Sequence, residues 1–229
     1  NISVVIDQKD STRALRAVHS GLYLSDQTLS VGIIGPGLIG SALLKQLQEQ
    51  APALKSQLKI DLRVRGIIRS GKMLLANPRI DLDTWKDRFD REGLDADLDA
   101  FVNHVQAEHL PHSVLIYCTS NEDIASRYES WLTRGIHVVT PNKKAGSGPL
   151  ATYRRLRELG DSLHRHYLYE ATVGAGLPVI TTLRDLIRTG DRVTQIDGVL
   201  SGTLSYLFNS FTGERPFSEI VKEAKQNGY

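Results

Sequence analysis

Residues 29–50 read LSVGIIGPGLIGSALLKQLQEQ, and this stretch decides the fold. Its first part is a continuous apolar run, which is typical of a strand buried on both faces of a sheet. Its last part carries apolar residues at helical spacing. Between them Gly35, Gly37 and Gly40 form a G-x-G-x-x-G pattern, and in this strand–turn–helix context the pattern predicts a dinucleotide-binding loop.

Each position of such a loop has a physical role. Gly35 permits a tight turn, Gly37 lets the backbone approach a pyrophosphate, and Gly40 allows the helix to pack closely on the strand. The phosphates then meet the free N–H groups at the helix start, near Leu38 and Ile39, and the positive end of the helix dipole. The alternative is a glycine-rich turn with a purely structural role.

Strands and helices alternate through the middle of the chain. Apolar runs predict further strands at 60–68, 114–120 and 136–140, with helical or charged segments between them. This alternation indicates βαβ units and a parallel sheet, which is an α/β fold of the Rossmann type.

Beyond about Pro141 the pattern becomes that of an α+β domain, with predicted strands at HYLYEA (166–171) and near 193–200. A further strand is predicted at the start of the chain, in ISVVI (2–6). We therefore predict three stretches, namely a tail of a preceding domain with its linker (1–28), a nucleotide-binding domain (29–145) and the start of a second, α+β domain (146–229).

Composition excludes several classes of protein. The 28 basic and 26 acidic residues leave a net charge of +2, so the chain offers no field that favours nucleic acid or an anionic membrane. No apolar run approaches the roughly 20 residues of a membrane span. Cys118 is the single cysteine, so an internal disulfide is impossible and a reducing compartment such as the cytoplasm is expected.

The end of the second predicted strand bears on the choice of cofactor. NAD-binding sites place an acid there to hold the ribose 2′-hydroxyl, but here the strand continues into Arg69-Ser70-Gly71-Lys72. Arg69 could pair with a 2′-phosphate, assisted by Ser70 and Lys72, so NADP is favoured and NAD remains possible. The alternative is that Arg69 and Lys72 are solvated loop charges.

Two later strand ends add polar groups at the same edge of the sheet. Thr119 and Ser120 can donate hydroxyl or backbone N–H groups to the nicotinamide ribose. Cys118, just before them, is expected to be a small buried hydrophobe and not a nucleophile. Lys143 could hold a carboxylate or polarise a carbonyl, and the alternative for it and Lys144 is a pair of solvated loop lysines.

Three motifs carry a resemblance to a known family. TPNKKA (140–145), YEATVGAGLP (169–178) and GVLSGTLSYLFNSF (198–211) follow the glycine loop in this order, and together they resemble homoserine dehydrogenase. The similarity runs from about Leu29 to the end of the chain. Residues 1–25 look like the last strand and helix of an aspartokinase ACT region, so the parent protein is expected to be a bifunctional aspartokinase–homoserine dehydrogenase.

The resemblance implies an activity and a cofactor site. The reaction is reversible hydride transfer between a nicotinamide cofactor and C4 of aspartate 4-semialdehyde, which gives L-homoserine in the route to threonine, methionine and isoleucine. Cofactor contacts fall on the glycine loop, Thr119 and Lys143, with Ser201 and Gly202 near the nicotinamide, and Gly228 is counted with them. Lys143 is also assigned to substrate positioning.

The resemblance also implies a monovalent cation, sodium or potassium, in YEATVGAGLP. Glu170 would supply a carboxylate, and the carbonyls of Val173, Ala175 and Leu177 would complete the shell. Oxygen ligands that are mostly neutral suit a hard cation of low charge. The family is further expected to act on a small-molecule substrate, to form a homodimer or homotetramer through the second domain, and to lie in the cytoplasm of bacteria or the plastid of plants.

The family's main catalytic lysine follows a helix that ends in Gly-Tyr, and so we expect it beyond Tyr229. A chain that ends there should bind cofactor better than it turns substrate over, which leaves a cofactor-binding and regulatory fragment as the alternative function. A third reading is another Rossmann oxidoreductase, such as aspartate-semialdehyde dehydrogenase. That enzyme needs a cysteine nucleophile, and Cys118 inside a buried strand is poorly placed for it.

Overall fold

A computed structural model of the chain describes residues 3–12, 14–15, 17–18, 27–107, 109–121 and 123–228. It divides into two compact units, Asn1–Tyr169 and Glu170–Tyr229, and each is described by itself. The three-stretch division made from the sequence stays a prediction.

The first unit is built on a seven-stranded sheet with the order β4-β3-β2-β1-β5-β6-β7. The strands are β1 (Gln27–Ile34), β2 (Ile60–Arg69), β3 (Lys72–Leu75), β4 (Leu94–Asp95), β5 (His112–Tyr117), β6 (His137–Val139) and β7 (Tyr167–Leu168). The strands from β2 across β1 to β7 run parallel, while β3 pairs antiparallel with both β2 and β4. The predicted α/β fold of the Rossmann type is confirmed.

The antiparallel edge was not predicted. Ser70 and Gly71 form a tight turn between β2 and β3, and Gly71 has a left-handed φ of +82° that favours glycine. The sequence interpretation assigned Ser70 to phosphate binding and gave Gly71 no role, although both residues satisfy the requirements of a hairpin turn.

Helices cover the two faces of the sheet. They are α1 (Leu38–Leu58), α2 (Trp85–Glu92), α3 (Leu98–Val105), α4 (Tyr128–Thr133), α5 (Lys144–Ser147) and α6 (Leu150–Ser162). Strand β1 contributes residues to two hydrophobic clusters. Val31 and Ile33 pack with Leu44 of α1, whereas Ile34 belongs to the cluster that contains Phe101 of α3. This double burial explains why the run that precedes the glycine loop is continuously apolar.

A β-bulge interrupts the pairing of the two central strands. Val31 pairs with Val64 and Gly32 with Gly66, so Arg65 has no partner on β1. A bulge residue and its successor point to the same face of a sheet, and Gly66 faces Phe101 of α3. Arg65 and Gly66 therefore both face the α3 side, where the Arg65 guanidinium donates to the His104 carbonyl.

The second unit contains a short 3-10 helix (Glu170–Thr172), α7 (Val179–Arg188), α8 (Gly202–Ser210) and α9 (Phe217–Gln226). The strand predicted near 193–200 is wrong, because this segment has no regular structure. Val199 is 76% exposed and Ile196 is 60% exposed. Apolar alternation cannot make a strand without a neighbour to supply hydrogen bonds, and none pairs with this segment in the described part of the unit.

The strand predicted at 2–6 is also wrong for the residues that the structure describes. Residues 3–7 form no strand, and Val5 is fully exposed. The same lack of a pairing partner explains this difference. None of the helices in the described part of the chain has the length and apolarity that a membrane crossing requires.

Candidate functional site

The glycine loop lies where the chain leaves β1, at the point where neighbouring connections depart to β2 on one side and β5 on the other. The Gly35 N–H donates to the Ile68 carbonyl at 2.8 Å, and the Cys118 N–H donates to the Ile34 carbonyl at 2.8 Å. Both bonds extend the sheet up to the loop. Ligands of open α/β sheets bind at this kind of topological switch point, at the carboxyl ends of the strands.

Gly35 and Gly40 are required by the protein's own packing. Gly35 has a φ of +92°, and a Cβ there would lie 2.2 Å from Thr119 Cγ2. A Cβ on Gly40 would lie 2.2 Å from the Gly35 carbonyl oxygen and 3.0 Å from its carbon. The first turn of α1 is therefore pressed onto the loop, as the sequence predicted for a close helix–strand contact.

Gly37 differs, because no described neighbour would contact a side chain placed there. A Cβ there would meet no atom within 4 Å, and its φ is −75°. Gly37 is the N-cap of α1, where neither a capping side chain nor an acid in the first turn satisfies the N–H groups. Open space above an uncapped helix start suits a phosphate that must approach the backbone closely, so these residues fit a dinucleotide.

The two residues after Gly37 are apolar and exposed. Leu38 is 91% exposed and Ile39 is 56% exposed. Their side chains are thus clear of the core, and the helix start offers backbone N–H groups instead of polar side chains.

Thr119 follows β5 and is tied into a network of hydrogen bonds. Its hydroxyl donates to the Tyr117 hydroxyl at 2.5 Å, which in turn donates to the Asn121 carbonyl at 2.5 Å. The Asn121 N–H donates back to Thr119 Oγ1 at 3.2 Å. Burial raises the pKa of Tyr117, which keeps this donor protonated. The Thr119 hydroxyl is therefore hydrogen-bonded within the protein, and its methyl group faces Gly35.

Asn142 joins this network to the loop after β6. Its side-chain amide donates to the carbonyls of Thr119 at 2.7 Å and Asn121 at 3.2 Å, while its Oδ1 accepts from the Lys144 N–H at 2.7 Å. It is 6% exposed. No signal in the sequence indicates this role of Asn142, since its partners are 21–23 residues away.

Lys143 sits beside Asn142 at the start of the four-residue helix α5, and its side chain is exposed. Ser120 is exposed as well. The structure therefore brings Gly35, Thr119 and the loop of Lys143 together at one edge of the sheet. Their predicted contacts with cofactor or substrate stay predictions.

Arg69 is the last residue of β2, as predicted for a group that reads the cofactor ribose. Its guanidinium lies 5.1 Å from the centre of the Phe89 ring and 3.8 Å from the Asp90 carboxylate, with about half of the side chain exposed. Ser70 follows in the hairpin turn. Lys72 instead donates to the Asp90 carbonyl at 2.5 Å and covers Gly93, so this lysine is engaged within the protein.

Cys118 lies directly after β5. Burial raises the pKa of its thiol to about 11. A nucleophilic cysteine needs a lowered pKa, so this environment disfavours the thiolate chemistry of aspartate-semialdehyde dehydrogenase.

In the second unit, Glu170 binds the start of α7. Its carboxylate accepts from the Ile180 N–H and the Thr181 N–H, each at 2.8 Å, and from the Thr181 hydroxyl. These bonds lower its pKa, with the Thr181 hydroxyl as the largest cause. A carboxylate at a helix N-terminus satisfies free N–H groups and the helix dipole. The sequence interpretation missed this role, because the partners Ile180 and Thr181 lie 10 and 11 residues after Glu170 and match no local capping pattern.

The other predicted cation ligands lie in the turn between Glu170 and α7. Gly174 and Ala175 have left-handed φ values of +72° and +51°. The Leu177 carbonyl accepts from the Val179 N–H at 2.9 Å, whereas no bond is recorded to the carbonyls of Val173 and Ala175 in the described structure. The carboxylate of Glu170 has about four acceptor sites, and three donors occupy three of them. One acceptor site is left for the predicted cation. Among the described residues, no group of three or more His, Cys, Asp and Glu side chains is arranged to hold a metal.

Ser201, Gly202 and Gly228 have local roles in the second unit. Ser201 is the N-cap of α8, and its Oγ accepts from the Leu204 N–H at 3.2 Å. Gly202 opens the helix. Gly228 has a φ of +85° just past the end of α9, where glycine commonly terminates helices. Their assignment to the cofactor stays a prediction.

Comparisons with known proteins point to one family. Residues 35–170 match the family profile "Homoserine dehydrogenase, NAD binding domain", and residues 178–229 match the profile "Homoserine dehydrogenase". Similar proteins include a chloroplastic bifunctional aspartokinase/homoserine dehydrogenase of Arabidopsis thaliana, which is 57% identical over the whole chain, and a bifunctional aspartokinase/homoserine dehydrogenase of Haemophilus influenzae, which is 33% identical. The chain spans 25% and 28% of their lengths.

Solved structures agree on the fold. A Candida auris protein of unknown function has a TM-score of 0.74 and 37% identity, and the match covers 89% of this chain and 56% of that one. A hyperthermophilic archaeal homoserine dehydrogenase in complex with NADPH has a TM-score of 0.72 and 22% identity, with 88% and 62% covered. Since the first family profile alone matches more than half of its residues, the chain belongs to the homoserine dehydrogenase family.

Proposed function

We propose that the chain carries the nicotinamide-binding part of an NADP-dependent homoserine dehydrogenase, which interconverts L-homoserine and L-aspartate 4-semialdehyde. The observation that carries this proposal is the loop at Gly37, where open space lies above an uncapped helix start at the switch point of the sheet. The homoserine dehydrogenase matches supply the substrate.

A bound nicotinamide dinucleotide supplies the hydride acceptor for C4 of homoserine. The residues of this chain hold and orient it. The N–H groups that follow Gly37 would bind the pyrophosphate, and the methyl group of Thr119 lies beside Gly35. Asn142 fixes the loop that presents the Lys143 ammonium, which we assign to cofactor or substrate positioning.

The preference for NADP rests on Arg69. It stands at the end of β2, where no acid is present to hold a 2′-hydroxyl, and its ion pair with Asp90 is long enough to exchange for a phosphate. Stacking on Phe89 would keep the guanidinium in place while it does so.

Titration of the chain with NADPH and NADH tests this assignment. We expect NADPH to bind more tightly, and Arg69→Gln to weaken NADPH binding by about tenfold, because it removes a charge-assisted hydrogen bond. NADH binding should not change. Arg155→Gln is a matched control, since Arg155 has similar exposure and a single acidic partner. Tighter NADH binding by the wild type would refute the assignment.

Homoserine oxidation tests the reaction itself. We expect homoserine-dependent reduction of NADP by the full-length protein, and loss of it when Gly37 is replaced by Asp, whose carboxylate would repel the pyrophosphate. Normal turnover by that variant would show that the loop does not bind the cofactor.

We further propose a monovalent cation, sodium or potassium, at the carbonyls of Val173, Ala175 and Leu177 and the remaining acceptor of Glu170. The left-handed turn at Gly174 and Ala175 supports this site. Sodium or potassium should raise the midpoint of thermal unfolding above that in choline at equal ionic strength, and Ala175→Pro should remove the difference. Equal midpoints in all three salts would exclude the site.

The relatives support several wider proposals. We propose that the whole protein also phosphorylates aspartate, serves the route to threonine, methionine and isoleucine, and forms a homodimer or homotetramer. The relatives at 54–57% identity are plant proteins named chloroplastic, which favours the plastid over the bacterial cytoplasm. Fractionation of the source cells would test this location.

A further inference from the structure

We propose that a cavity beside the amino-terminal half of β2 binds a small oxyanion, either a phosphate or a carboxylate group. The cavity has a volume of about 290 Å³ and is lined by Arg63, Arg65, Asn77, Pro78, His109 and Leu110. The glycine loop follows the carboxyl end of β1, so the cavity is separate from the proposed cofactor site.

Arg65 is the central observation. This residue is 3% exposed, yet its recorded hydrogen bonds go to neutral acceptors, the His104 carbonyl at 2.7 Å and Asn77 Oδ1. Within the described ranges no carboxylate lies at ion-pair distance from it. Burial and the nearby Arg63 lower its pKa.

A buried guanidinium of this kind needs a counter-charge. Lysine and histidine can lose their charge when buried, but arginine does not release its proton in proteins. Dipoles repay only part of the cost of removing a charge from water, so buried charges are normally paired. An anion in the cavity would complete the pair.

A buried carboxylate on the same strand is already paired with other arginines. Asp61 is buried and binds Arg63 at 2.6 Å and Arg79 at 3.4 Å. Two other arginines thus engage Asp61, and His104 adds no positive charge because burial lowers its pKa and keeps it neutral. Among the described residues, the charge of Arg65 is therefore left without a counter-charge.

The chemistry of the wall selects the ligand. Planar guanidinium groups bind flat or tetrahedral oxyanions through paired N–H donors. Asn77 can accept or donate beside them. Phosphate and carboxylate share this chemistry, and the two salts used below distinguish them.

The experiment is thermal unfolding of the chain in sodium phosphate or sodium acetate, each against sodium chloride at equal ionic strength. We expect one or both anions to raise the midpoint by about 5–10 °C at roughly 100 times Kd. Arg65→Met should abolish the shift. Arg79→Met is the matched control, because it removes an arginine that pairs with Asp61 and does not line this cavity.

Two more variants keep the result decisive. Gly37→Asp blocks phosphate at the glycine loop, and the shift must survive in it. If Arg65→Met does not fold, Arg65→Lys should lower the anion affinity about tenfold, since an ammonium cannot form the paired bonds.

Several outcomes would overturn the proposal. One is a wild-type unfolding midpoint in phosphate and in acetate that is no higher than in chloride. The others are an increase that persists in Arg65→Met and an increase that disappears in Gly37→Asp. Glu108 lies outside the described residues, and a shift that appears only in Glu108→Gln would identify that carboxylate as the counter-ion of Arg65 and would also overturn it.

Discussion

Replacing two glycines of one loop by alanine should separate folding from nucleotide binding. Gly40→Ala places a Cβ 2.2 Å from the Gly35 carbonyl oxygen and 3.0 Å from its carbon, and backbone atoms held in the sheet cannot move aside cheaply. Overpacking of this kind costs about 3 kcal/mol of the free energy of unfolding. For a chain of this size the unfolding midpoint should fall by about 6–12 °C.

Gly37→Ala should behave in the opposite way. Its φ of −75° suits alanine and its Cβ would meet no atom, so the free energy of unfolding should change by less than about 0.5 kcal/mol. The same methyl group fills the space through which a pyrophosphate reaches the N–H groups. We expect nucleotide affinity to fall about tenfold or more, which is about 1.4 kcal/mol.

Urea unfolding and titration with NADPH measure the two effects on the same preparations. Wild-type stability of Gly40→Ala would contradict the close packing of this glycine on the Gly35 carbonyl. Unfolding of Gly37→Ala as easily as Gly40→Ala would contradict the open space at Gly37. Unchanged nucleotide affinity in Gly37→Ala would show that no ligand approaches the loop there.

Three further outcomes are expected. Asn142→Asp turns an amide donor that serves the Thr119 carbonyl into a carboxylate, so it should cost about 1–3 kcal/mol in urea unfolding and weaken nucleotide binding; an unchanged value in both assays would contradict the bridging role. Glu170→Gln should lower the unfolding midpoint at neutral pH but not in acid, because a carboxyl with a lowered pKa stabilises the fold above its ordinary pKa and loses this effect as the pH falls through the lowered value. His137 accepts a hydrogen bond from the His166 N–H at 3.0 Å, and burial, followed by the charge of His166, lowers its pKa from 6.5 to about 4. Stability should therefore drop as the pH falls from 6.5 toward 4, by about 1–2 kcal/mol after allowing for partial exposure, and His137→Asn should flatten this limb of the urea-unfolding profile.

The parts of the fold that the sequence predicted are those fixed by local rules. The strand before Gly35 is buried on both faces and the helix after it has one apolar face, so their periodicities are visible in a short window. The glycine pattern then locates the turn between them. The site residues at strand ends followed from the geometry of parallel sheets, which brings carboxyl ends to one edge.

The parts that were missed depend on partners far away in the chain. Asn142 acquires its role only when the loops after β5 and β6 meet, and no short window contains both. Arg65 looks like an ordinary alternating position of β2, and its partners His104 and Asn77 lie 39 and 12 residues away in the chain. The segment 193–200 shows the opposite error, since its apolar residues match a strand that finds no partner in the described structure.

Glu170 shows why a pattern cannot name the partner of a charge. A carboxylate before a run of small residues is satisfied equally well by a cation or by the positive end of a helix, and the sequence is compatible with both. In the structure the Glu170 carboxylate binds the start of α7, where it accepts hydrogen bonds from two N–H groups and one hydroxyl. A cation at the same turn would share the carboxylate with this helix. The position of α7 and the occupancy of the cation site should therefore depend on each other, because both use the same negative charge.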